Sequence, residues 1–106
     1  MAKSREIYCV ARMGVDEDQV HCSEVPIRAE GTKTVIVNGA PWSCVGHHNH
    51  PHKGIPCVLG CCVHVAPICR GSSSVFVEGR PAGRVGDPVA ACTFVATGSP
   101  NVICGG

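Results

Sequence analysis

Apolar residues in this chain come in short alternating bursts, not in helical stripes. Val35-Ile36-Val37 follows Gly31-Thr32-Lys33-Thr34, and Val75-Phe76-Val77 follows Gly71-Ser72-Ser73-Ser74. Within each burst the two valines share one face of an extended strand, and the residue between them points the other way. Asn38-Gly39 and Glu78-Gly79 come next, and such pairs tolerate the positive φ of a tight turn. Pro41 and Pro81 then stiffen the exit. No apolar period of 3.6 residues survives a dozen positions, and 13 glycines and 8 prolines are spread through the chain. The pattern predicts an all-β protein of short strands.

The burst occurs a third time, at Gly98-Ser99-Pro100-Asn101-Val102-Ile103-Cys104-Gly105-Gly106. An apolar residue also precedes each copy by three or four positions: Ile27, Ile68 and Val95. Three related units in one small chain predict an internal pseudo-threefold axis. The whole chain, 1–106, reads as a single domain, with residues 1–19 a segment of open role.

Composition adds the need for a staple. A chain of 106 residues with four aromatics (Tyr8, Trp42, Phe76 and Phe94) has a thin core. Small cores often depend on disulfides, a metal or a partner. Nine cysteines cannot all pair within the chain, and with six histidines they point to metal. A net charge of +1 with no basic stripe argues against nucleic acid. The triplet Asp16-Glu17-Asp18 reads as a solvated turn. Met1–Arg12 lacks the apolar core of a signal peptide, so synthesis in the cytoplasm without a signal peptide is expected. No apolar run approaches the roughly 20 residues that span a bilayer.

Two other functions fit poorly. A zinc-ribbon adaptor, the alternative reading, wants two Cys-x-x-Cys knuckles, and the chain has none. A metallohydrolase wants an open ligand position and a general base, and carboxylates are scarce around the histidines. Arg84 and Asp87 are expected to form a turn-stabilising ion pair, so no enzyme is expected.

The segment Val77 to Gly106 resembles the PAAR-repeat proteins. The family's Pro-Ala-Ala-Arg motif stands here as Pro81-Ala82-Gly83-Arg84, followed by Val85-Gly86-Asp87. A degenerate copy is Pro41-Trp42-Ser43-Cys44-Val45-Gly46-His47, in which His47 replaces the Asp. The resemblance implies a small cone of β-strands with pseudo-threefold repeats and a metal at the apex. It implies a structural spike-tip protein that caps and sharpens a trimeric β-helical spike. The machine would be a type VI secretion system or a contractile phage tail. Effector cargo and the target cell envelope would be further partners, and delivery would be extracellular.

The resemblance also implies the ligands. Four histidines (His47, His48, His50 and His52) lie within six residues, and His64 follows. His50 and His64 occupy slots similar to ligating positions of the family, as do His21 in the first lead-in and Cys92 in the third. A threefold axis brings these loops together, and zinc takes four nitrogen or thiolate ligands. The expected set is therefore His21, His50, His64 and Cys92, holding one structural zinc, with iron a lesser candidate. His52, Cys61 and His48 stand next in line. The remaining eight cysteines (Cys9, Cys22, Cys44, Cys57, Cys61, Cys62, Cys69 and Cys104) are either late disulfides or buried thiols. Cys57, Cys61, Cys62 and His64 together are a candidate for a second metal.

Overall fold

The computed structural model describes residues 8–19, 24–57, 60–90 and 93–105, with backbone alone for Tyr8, 54–57 and 60–62. The described residues form strands, bridges and turns and contain no helix. The expected all-β class holds.

Two hairpins realise the apolar bursts. Strand β2 (Ile36–Val37) pairs with β3 (Ala40–Pro41), and β6 (Phe76–Val77) with β7 (Arg80–Pro81). Both turns have positive φ at both central residues: 51° and 82° at Asn38-Gly39, 52° and 80° at Glu78-Gly79. That is the two-residue turn whose twist matches antiparallel strands.

The third ladder is built from the two ends of the chain. Strand β1 (Tyr8–Cys9) pairs with β10 (Ile103–Cys104) in the register of the hairpins. Cys9 faces Ile103 as Pro41 faces Ile36 and Pro81 faces Phe76. The bonding repeats at each station. Trp42, Ala82 and Val10 donate their amides to the carbonyls of Val35, Val75 and Val102. In return their carbonyls accept from Thr32, Ser72 and Ser99, each at 2.9 Å. Residues 8–19, which the repeat pattern left unassigned, thus open the first unit. Cys9-Val10-Ala11-Arg12 stands where the motif stands in the other copies.

Nearer the axis the units meet. The Ser43 amide donates to the Ala11 carbonyl at 2.8 Å, and the Ala11 amide to the Gly83 carbonyl at 3.0 Å. Around this contact lies one core cluster of Val10, Val37, Trp42, Cys44, Val77, Ala82 and Cys104. A second contains Ala11, Ala66, Ile68, Val89 and Val95. Bridges Asp18↔Val95, Arg28↔Asn49 and Ile68↔Val89 form the next ring.

Two expectations need correction. The inward lead-in residue of the first unit is Arg28, not Ile27. Arg28 is fully buried in the place held by Ile68 and Val95, while Ile27 is exposed. The acidic triplet is no solvated turn either. Asp16 is buried against Arg12, with Nε–Oδ2 at 2.8 Å. Asp18 is buried against Arg28 at 2.9 Å with both side chains inaccessible to solvent. An interior cation needs this partner, because removing one member of such a pair strands the other at about 3–5 kcal/mol.

A pair of longer strands, β4 (His52–Cys57) and β5 (Gly60–His64), extends the middle unit. Its register pairs His52 with His64, with an irregularity between Lys53 and Ile55. The last described ladder joins β8 (Pro88–Val89) to β9 (Thr93–Phe94).

Candidate functional site

The three copies hold one another in a cycle. The Glu78 carboxylate, in the second copy, accepts from the Lys33 and Thr34 amides and the Thr34 hydroxyl of the first, at 2.9, 2.7 and 2.6 Å. These donors hold its carboxyl below the usual range. Asn38 of the first copy bonds Ser99 and, at 3.0 Å, Asn101 of the third. The Gly105 carbonyl of the third accepts from Ser72 of the second at 3.0 Å. Each copy therefore braces one of the other two.

This face carries apolar side chains that the fold leaves in solvent. Ile36, Phe76 and Ile103 occupy equivalent positions, opposite Pro41, Pro81 and Cys9. They are 55%, 59% and 56% exposed. Side-chain alternation explains it: the flanking Val37, Val77 and Cys104 turn inward to the core. Three matched apolar side chains around a pseudo-threefold axis form a surface suited to a threefold partner.

Beyond the second ring of bridges lies the imidazole pair. His52 is buried, and its Nδ1 lies 2.9 Å from the His50 carbonyl, so Nδ1 carries the proton it donates. That bond places the proton on Nδ1 and makes Nε2 the acceptor nitrogen of the ring. The His52 Nε2 lies 3.1 Å from the Nε2 of half-buried His64. Two ligands of one tetrahedral zinc stand about 3.3 Å apart when Zn–N is about 2.0–2.1 Å. The donor chemistry and spacing fit a metal.

The other expected ligands fall elsewhere. His21 and Cys92 lie outside the described residues, and for Cys57, Cys61 and Cys62 only the backbone is described. The side chain of His50 is exposed, and its carbonyl serves His52. His48 is bound at the surface by Glu30, with its amide and Nδ1 at 2.7 and 2.9 Å from the same carboxylate oxygen. Among the described residues no cluster of three or more metal-ligating side chains occurs. His52 was the less obvious choice because His50, not His52, matched a ligating slot of the family.

His47 does the work of an aspartate. In the other copies Asp16 and Asp87 accept the amides of Arg12 and Arg84 at 2.8 and 2.7 Å. Here the Cys44 amide donates to His47 Nδ1 at 2.8 Å. Arg84 and Asp87 form the expected turn pair, 2.9 Å apart. Burial, then the charge of Arg80, holds the His47 pKa below the usual histidine value. A folded pKa below the unfolded one stabilises above about pH 6.5 and loses that contribution as pH falls. Protonation at Nδ1 also destroys the acceptor for Cys44. His47→Asp should therefore flatten the loss of melting temperature between pH 7 and pH 5, measured by thermal denaturation, because carboxylate accepts the same amide throughout that window.

Cys9, Cys44, Cys69 and Cys104 are free thiols. Burial pushes the Cys44 thiol up to about 11, which keeps it unreactive at neutral pH.

The family model described as PAAR motif matches residues 61–106. No curated protein matches the chain.

Proposed function

We propose, from the premise that this chain is a PAAR-repeat protein, that it caps a trimeric β-helical spike in a contractile injection machine. The PAAR motif is associated with spike-tip proteins of such machines, a structural family. In the proposed role the face bearing Ile36, Phe76 and Ile103 docks on the blunt end of the spike. The opposite end makes the piercing tip, and a zinc clamps it. His52 and His64 would hold the ion, joined by His21 and Cys92 as expected ligands. Four such ligands close the coordination shell, and bound zinc would supply cross-linking without catalysis. Assembly at the end of the spike would carry the protein out of the cell, with effector cargo as a possible passenger.

The observation that carries this reading is the matched exposure of the three apolar residues. A monomer has no use for three such side chains at equivalent stations, whereas a trimer end presents three equivalent partners. The test is a pull-down on an immobilised trimeric spike. Phe76→Asp and Ile36→Asp should each lower retention at least tenfold, since a charge buried at an interface without a partner costs several kcal/mol. Their melting temperatures should stay within a few degrees of the parent, because both side chains are exposed in the free protein. Full retention by both variants would contradict the docking face.

A further inference from the structure

We propose that Asp18, Arg28 and Asn49 are positioning residues for the metal centre, holding the two legs of the middle loop at the separation that sets His52 against His64. The proposal rests on the metal reading above.

The three stations of the second ring can be compared directly. Asp18, Asn49 and Val89 occupy equivalent places, as do Arg28, Ile68 and Val95, and the backbone bridges between them are the same. The third station shows that the fold is satisfied by Val89 and Ile68, both almost fully buried. The polar trio is therefore not demanded by the architecture. Yet Asp18, Arg28 and Asn49 are each at most 1% exposed.

What the trio adds is a set of ties to both legs. Arg28 Nη2 donates to Asp18 Oδ2 at 2.9 Å, and Asn49 Nδ2 donates to the same oxygen at 2.8 Å. Arg28 Nη1 also donates to the His47 carbonyl at 3.2 Å, on the outgoing leg. Asn49 then crosses to the returning leg. Its amide donates to the Ala66 carbonyl at 3.1 Å, and its Oδ1 accepts the Ala66 amide at 2.9 Å. His52 follows Asn49 by three residues and His64 precedes Ala66 by two. The Asn49–Ala66 tie is thus next to the His52–His64 pair along both legs. The Asp18 carboxylate also lies within electrostatic reach of His52, and its Oδ1 is buried with no hydrogen-bond partner among the described residues. Val89 and Ile68 have no side-chain hydrogen-bonding group with which to make such ties.

The test transplants the apolar station onto the polar one. The full-length variant D18V/R28I/N49V is compared with the parent for zinc affinity, by competition with a chromophoric chelator. The visible spectrum of the cobalt(II) form reports ligand geometry, and melting is followed without metal. Buried ion pairs replaced by packed apolar residues are often neutral or stabilising, so the metal-free variant should melt no lower than the parent. Zinc affinity should fall about 10- to 100-fold, as for lost outer-shell support elsewhere, with an altered cobalt spectrum. Parent-like affinity and spectrum would overturn the proposal. Asn49→Val alone, which leaves the ion pair intact, decides the matter in the same two ways should the triple variant fail to fold. A parent that binds no zinc overturns the metal reading and this one with it. A binding parent matched by equally binding variants overturns the positioning role only.

Discussion

Gly83→Ala should lower the melting temperature by roughly 10–20 °C, although it restores the alanine for which the family motif is named. A Cβ at Gly83 would fall on the carbonyl oxygen of Ser43, far inside contact distance, and 3.0 Å from Ile68 Cδ1. Neither neighbour can yield cheaply. Ser43 belongs to the chain of amide bonds that joins the units, and Ile68 is fully buried. The reason lies in the other copies. Equivalent positions hold Ala11 and Ser43, while the position one before carries Val10, Trp42 and Ala82. Trp42 is far larger than its counterparts, and its Nε1 donates to the Gly83 carbonyl at 2.9 Å. The units thus approach most closely where Gly83 has no side chain. Overpacking of this kind costs about 1–3 kcal/mol and at times more. For a domain near this size each kcal/mol shifts melting by about 4–8 °C. Calorimetry checks the figure, and an unchanged melting temperature would mean that the units do not close as described.

Removal of metal should lower the melting temperature by roughly 20 °C or more. The core beneath the middle loop is thin, so the proposed coordination there would count as folding free energy. His52→Ala and His64→Ala should each reproduce the effect of a chelator, and each should make the chelator redundant. His50→Ala should not, because its exposed ring is dispensable while its carbonyl, which orients His52, is retained. Acidification should act in the same direction as chelation. Imidazole binds metal only when neutral, so metal-linked stability is present at neutral pH and is lost as pH falls. Metal content by elemental analysis and melting with and without chelator check all three. A metal-free sample that melts with the parent would remove the clamp from the account.

The parts of the fold legible in the sequence were those with local causes. Val35-Ile36-Val37-Asn38-Gly39 and its copy at Val75 specify a strand and a turn by themselves. The third copy was legible as a strand, but its partner was not. Tyr8-Cys9 lies almost a hundred residues from Ile103, and Cys9 stands where the other copies have proline. The signal that marks it is Ala11-Arg12 followed by Gly14 and Asp16, blurred by one extra residue before the aspartate. Arg28 was hidden for a different reason. A charge in an inward slot makes sense only with Asp18 beside it, and that partner lies ten residues away in sequence, which no periodicity reports. The histidine-rich loop was legible as a concentration of candidate metal ligands. Which imidazoles meet was not, because the register of β4 on β5 selects His52 over its neighbours.

Sedimentation of the protein mixed with a trimeric β-helical spike is the most direct measurement. One chain bound per three spike strands is the expected stoichiometry, since a single pseudo-threefold molecule covers one trimer end. Three chains per trimer, or no complex at all, would contradict it.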